Sequence, residues 1–122
     1  HSSEDLTHEM LIVFHRTSFM PPHRHPKGKS ESYHVVEGAM KVYFFDDEGQ
    51  VIRIIEMGEI GSGKTFLYRL SDNVWHMPMP TSEWLVYHET YSGPFQKDYD
   101  VNFPSWAPEE GEEDVQNFLN SL

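Results

Sequence analysis

Four residues carry the donor types that a transition metal takes from a protein, and three of them fall within one short run. The stretch PPHRHPKGKSESYHVVEG, residues 21–38, sets His23 and His25 two positions apart. Alternate residues of an extended segment share a face, so both imidazoles can aim at one point. Five residues then separate His25 from Glu31, enough chain to turn back and bring a carboxylate beside them from a neighbouring strand. Two imidazoles and a carboxylate form the facial set that borderline first-row metals accept, with other positions left for water or substrate. A third imidazole completes a four-ligand site. His76, in an apolar segment behind Asp72-Asn73-Val74-Trp75, is the natural candidate. The expected cofactor is therefore one divalent transition metal, with Fe, Zn, Mn and Ni all suited to these donors.

The other titratable groups have blander readings. A lone His-x-His on a polar stretch is usually a surface feature, and it is the company of Glu31 and His76 that separates this pair from that background. Glu37 shares Glu31's strand parity but adjoins Gly38, where the strand should leave the site. His34 falls on the opposite strand face, and His8 and His15 have no evident partner, the latter being cut off from the cluster by Pro21-Pro22. His88 follows an apolar strand segment and joins Tyr33, Tyr68, Arg69 and Trp75 as a candidate for lining a substrate pocket, since such pockets combine apolar walls with a few placed polar groups. Arg69 is the favoured contact for an anionic group, by bidentate pairing, with Arg53 as the alternative. GEIGSGKT, residues 58–65, matches the phosphate-loop pattern letter for letter. The next residues, FLYRLSDNVWHMP, have no helical stripe and contain a proline, so a glycine-rich turn is the better reading.

These residues need strands to position them. Seventeen aromatic residues in 122 favour a β-rich core over disorder or a helical bundle. Strands are expected over Met10 to Met20, ending at the double proline, and from Glu31 to Phe45 with a turn or bulge at Gly38. Asp46 to Gly49 supplies hairpin chemistry before VIRII. Further strands fit Thr65 to Leu70, Trp75 to Met79 and Glu83 to Thr90. Only the end looks helical: Val115, Phe118, Leu119 and Leu122 repeat at helical spacing within residues 112–121, a stripe that should dock on the barrel wall or a second subunit. Short strands at this spacing suggest a sandwich or barrel, and the length admits one domain, with the β-rich part over residues 10–104 and a C-terminal extension over 105–122.

Composition narrows the partners. A formal charge of −11, from 20 Asp and Glu against 9 Lys and Arg, repels nucleic acid and anionic lipid surfaces, leaving a small-molecule ligand as the expected partner. Part of that acidity is concentrated in Glu109, Glu110, Glu112, Glu113 and Asp114, a solvated segment. Cysteine is absent, which removes disulfides, thiolate nucleophiles and thiolate ligands together. No apolar run has the ~20 residues of a membrane span, and HSSEDLTHEM is too polar for a signal peptide, so a cytoplasmic location is expected. Barrel edges and the apolar stripe make a homodimer a further expectation.

His23-x-His25, five residues, Glu31, six residues and Gly38 resembles the first cupin motif, and Val74-Trp75-His76 resembles the histidine of the second. More narrowly, FDDEG at 45–49, the Trp75-His76 pair, GPF at 93–95 and WAPEEG at 106–111 are similar to the WbuC family of cupin-fold metalloproteins, associated with surface-polysaccharide gene clusters. The resemblance spans about residues 10–111. It implies an all-β double-stranded β-helix, a cupin jelly-roll barrel whose mouth holds a metal through three His and one Glu. Two departures lie in loops: five residues rather than three or four precede Glu31, and Ser71-Asp72-Asn73-Val74 stands where Pro-x-Gly is usual. Three functions are expected on this basis. One is a metal-dependent isomerase, epimerase or oxygenase acting on a carbohydrate-derived or organic-acid substrate. Another is a non-catalytic sugar-binding or sensor domain, and the third is a metal-free nucleotide-sugar isomerase or epimerase.

Overall fold

Alternating apolar side chains build seven antiparallel strands in the computed structural model, which describes residues 1–122. They are β1 (Thr7–His15), β2 (Glu31–Glu37), β3 (Ala39–Phe45), β4 (Val51–Gly58), β5 (Leu67–Leu70), β6 (Trp75–Pro80) and β7 (Trp84–Ser92). A four-stranded sheet in the order β1-β7-β2-β5 faces a three-stranded sheet in the order β4-β3-β6, which makes a jelly-roll barrel. Tyr33 and Val35 from β2, Met40, Val42 and Phe44 from β3 and Tyr87 from β7 point between the sheets and are buried. Each contributes roughly 1.5–3 kcal/mol through removal from water.

The other face of the three-stranded sheet is also covered. Tyr43, Phe45, Trp75 and Met77, at odd positions of β3 and β6, form a second buried cluster under Trp106, Phe118 and Leu119. This explains why β3 is buried almost continuously rather than at alternate residues. The apolar stripe of the C-terminal helix thus docks on the barrel wall of its own chain.

Two glycines fix the connections. Gly38, at φ +84°, joins β2 to β3, and a Cβ there would collide with both the Ser82 hydroxyl and the Trp84 carbonyl oxygen. Gly49, at φ +85°, closes the β3–β4 hairpin beneath the Trp106 indole. In the same turn the Asp46 carboxylate accepts the Glu48 and Gln50 N–H groups at 3.0 and 2.8 Å.

Boundaries differ from the sequence reading at several strand ends, with β5 starting two residues late and β7 running on to Ser92, and the larger differences have identifiable causes. β1 starts earlier and ends at His15, because a turn closed by the Ser18 N–H on the His15 carbonyl diverts the chain before the prolines. The C-terminal helix, Val115–Asn120, begins three residues late, since Glu112 is engaged in a turn that accepts the Glu109 N–H. A single helical turn, Lys97–Asp100, has no counterpart in the sequence pattern. Residues 59–64, the core of the phosphate-loop-like run, form exposed turns and lead into β5 rather than a helix.

Candidate metal centre

His23, His25, Glu31 and His76 meet at one end of the barrel, with one donor atom from each lying within 4.8 Å of all the others. Backbone pairing places two of them directly. The His23 N–H donates to the His76 carbonyl at 3.0 Å and the His76 N–H to the His23 carbonyl at 2.9 Å, so the segment bearing His23 lies as an extra rung along β6. His76 is the second residue of β6 and Glu31 the first of β2, at the edge where strands of both sheets open toward the cavity.

Each imidazole is oriented through its Nδ1. His23 Nδ1 donates to the Pro21 carbonyl at 2.9 Å, His25 Nδ1 to the Asp100 carbonyl at 2.7 Å and His76 Nδ1 to the Val74 carbonyl at 3.0 Å. A neutral ring that donates from Nδ1 presents its lone pair at Nε2, which is the arrangement that backbone carbonyls impose on metal-bound histidines. His25 Nε2 lies 3.2 Å and His76 Nε2 2.7 Å from the Glu31 carboxylate. Both nitrogens are buried and neither is aligned for a hydrogen bond. Buried polar atoms without partners are costly, and a cation between them and Glu31 removes that cost. The donor set therefore fits a divalent metal, and these four residues are the ones that would hold it.

The electrostatics agree. Burial, with His76 beside it, lowers His23 to about 3, so its ring is neutral. Burial opposes ionisation of Glu31, but His76 and His25 outweigh it and hold the carboxyl well below its usual range. For His25, burial disfavours the charged ring, yet the Glu31 contact prevails and raises its pKa. Tyr33, fully packed in the core, donates its hydroxyl to Glu31 Oε1 at 2.6 Å and fixes the carboxylate from behind.

A cavity of about 670 Å³ opens above this cluster. His23, His25 and Glu31 form its floor, while Ile12, Phe14, Phe19, Phe95 and Phe103 supply much of the wall. Glu89 and Tyr91 also line it. Glu89 has no hydrogen-bond or ion-pair partner in the chain, and burial and the nearby Glu31 charge push its carboxyl up to about 8. Asp100 lies outside the lining and backs Tyr91. It is buried, accepts the Tyr91 hydroxyl at 2.5 Å and the Gln96 N–H at 2.6 Å, and lies 3.3 Å from Lys29 Nζ.

The pocket candidates scatter. Tyr33 touches the cluster through Glu31. Trp75 precedes His76 and so points to the opposite face, where its Nε1–H donates to Asp47 at 3.0 Å and the Arg24 guanidinium lies over its ring. Tyr68 packs against the core beside Phe44, its hydroxyl near Arg53. Arg69 points outward, donating to the Ser30 hydroxyl at 3.3 Å. His88 pairs in register with His34 on the outer face of the sheet, 3.6 Å from Glu9. None of these four lines the cavity. Glu89 and Tyr91 escape a reading based on metal-ligand spacing, although the alternation Leu85, Tyr87, Glu89, Tyr91 marks both as inward. Nothing in the local sequence signals Asp100, whose position depends on the short turn Lys97–Asp100.

A family model described as a domain of unknown function, DUF6016, matches residues 1–57. No curated protein matches the chain. Among solved structures, protein SO0799 from Shewanella oneidensis is 13% identical with a TM-score of 0.67, the match covering 83% of this chain and 63% of that one. Oxalate decarboxylase from Bacillus subtilis is 18% identical with a TM-score of 0.62, covering 83% and 24%. An oxalate oxidase in complex with the substrate analogue glycolate is 13% identical with a TM-score of 0.59, covering 80% and 46%. The chain thus spans less than two thirds of each of these proteins. At such identities the likeness shows the fold, and that fold is the cupin barrel.

Proposed function

We propose that this chain is a metal-dependent enzyme that acts on a small, oxygen-bearing molecule held in the cavity above His23, His25, Glu31 and His76. The observation that carries this reading is the set of three imidazoles, each locked through Nδ1 by a backbone carbonyl and turned by Nε2 toward one buried carboxylate. A divalent metal bound there supplies a Lewis acid that polarises a substrate oxygen. The chain's own groups do the rest. The aromatic walls exclude water, and Glu89, free of protein partners, is placed to take or give a proton at the substrate. Proton transfer beside a polarised oxygen is the chemistry of isomerisation and epimerisation. The similarity to WbuC proteins supports a carbohydrate-derived ligand.

The test is elemental analysis of protein purified without added metal, repeated on His25→Ala and His76→Ala. About one equivalent of Fe, Zn, Mn or Ni in the wild type, lost in both folded variants, supports the reading. Metal retained in both variants, or a wild type that takes up none when metal is offered, overturns it.

A further inference from the structure

The two sheets differ in what covers their outer faces. Trp106, Phe118 and Leu119 of the same chain lie over the three-stranded sheet. The four-stranded sheet is bare on that side: Leu11 and Val13 of β1, Val36 of β2, Leu67 of β5 and Trp84 of β7 are each more than half exposed. Apolar surface gathered in this way on a folded domain marks a contact site. The cavity lies on the inner side of β1 and β7, where Ile12 and Tyr91 line it, so a partner on the outer side leaves it open.

Strand register arranges this face in rows. Glu9, Thr90, Ser32 and Arg69 stand side by side across β1, β7, β2 and β5, and Leu11, His88, His34 and Leu67 form the next row. Each row is complementary to its own reversal. When a second copy is turned about a two-fold axis parallel to the strands and between β7 and β2, β1 of one copy lies over β5 of the other. Glu9 then meets Arg69 of the second copy, and Arg69 meets the second copy's Glu9. In the same way Leu11 meets Leu67, His88 meets His34 and Thr90 meets Ser32. Twist makes facing sheets cross at roughly 30°, a displacement that the long Glu9 and Arg69 side chains can span. An axis across the strands at the second row matches nothing, since it sets Glu9 over Val13.

Both charges are available for this pairing. Glu9 is largely exposed, with His88 at 3.6 Å, and Arg69 donates to the Ser30 hydroxyl but has no carboxylate partner. The outward strand positions carry one further charge, Glu37, which pairs in register with Val86 at the exposed end of β2, on the rim, where charge stays hydrated. β1 and β7 have nine residues each, about 30 Å, and four strands span roughly 15–19 Å, a footprint of about 500 Å² on each copy. The total of about 1,000 Å² is at the lower bound for a specific interface, so the expected dissociation constant is on the order of micromolar.

We infer that the outer face of the four-stranded sheet is the interface of a symmetric homodimer, held by two Glu9–Arg69 ion pairs and two Leu11–Leu67 contacts. The interface is isologous, each copy offering the same patch.

The test is sedimentation velocity of the full chain from about 1 to about 200 μM, at about 0.15 M salt to screen the repulsion between two copies of charge −11. The wild type should approach twice the chain's 14.3 kDa at the upper concentrations. Glu9→Arg and Arg69→Glu each set like charges against one another across the axis, and each should weaken the dimer at least roughly tenfold. Mixed one to one, the two variants should dimerise again, because a heterodimer restores both unlike pairs, a recovery that misfolded variants do not show. A wild type that stays monomeric throughout, single variants that dimerise as the wild type does, or a mixture with no gain over either variant overturns the inference.

Discussion

At the scale of single residues, the three histidines differ in how they are held. His23 and His76 donate to carbonyls two residues earlier in the chain, whereas His25 depends on the carbonyl of Asp100, 75 residues away. Its orientation is therefore only as firm as the turn that carries Asp100. Burial alone would raise the Asp100 carboxyl, but the Tyr91 hydroxyl, the Gln96 N–H and Lys29 outweigh it and lower the pKa. A carboxyl depressed on folding contributes stability that is fully present above its ordinary value of 3.8 and is lost as pH falls through the folded value. Asp100→Asn should thus be less stable than wild type in urea at pH 7, with the gap closing as pH falls below the ordinary value of 3.8 and through the depressed folded one. It should also bind metal more weakly, because the turn that presents the carbonyl to His25 loses the side-chain bonds that hold it. A gap that persists unchanged in acid would assign the loss to packing instead. The four donors were legible from residue type and spacing, while Asp100 was not, because its contribution passes through a backbone carbonyl that any residue has.

At the scale of elements, strand alternation determined most of what the residue pattern could reveal. The parity that put Glu31 and His76 inward also put Arg69, Trp75 and His88 on other faces, and strict use of it excludes those three from the pocket. Boundaries were less legible where a turn bond rather than a side-chain pattern ends the element, as at His15 and Glu112. Gly38 was readable as a bend but not as a contact. Its crowding by the Trp84 carbonyl and its positive φ mean that Gly38→Ala must move the β2–β3 corner that leads from Glu31 to the core. A loss of about 1–3 kcal/mol in urea unfolding is expected. Gly61→Ala, at a positive φ of 84° in an exposed loop with open space around it, is the control that carries backbone strain without the clash. Equal losses at the two positions would show that the close approach at Gly38 has no energetic weight.

For the whole molecule, the barrel end is built from segments distant in sequence, so a ligand that bridges them should stabilise the fold. The segment with His23 and His25, the start of β2 and the start of β6 meet only in the folded chain, and metal binding free energy becomes folding free energy. At 100-fold excess over its dissociation constant a metal adds about 2.7 kcal/mol, which raises the melting temperature of a domain this size by several degrees. Saturating EDTA should reverse that rise, and His76→Ala should melt at one temperature with or without metal. Equal stabilisation of wild type and His76→Ala would place the metal elsewhere, among the surface carboxylates. The fold class was legible from aromatic content and turn spacing, yet the size and charge of the cavity were not, because its walls come from β1, β7 and the segments around Phe19, Phe95 and Phe103.

Anomalous diffraction from a crystal grown with one equivalent of Zn or Mn, collected at that metal's absorption edge, locates the ion without reference to activity. One dominant peak about 2.0–2.3 Å from Nε2 of His23, His25 and His76 and from a carboxylate oxygen of Glu31 is the expected result. A peak bound through surface carboxylates, with the three imidazoles and Glu31 left uncoordinated, would contradict it.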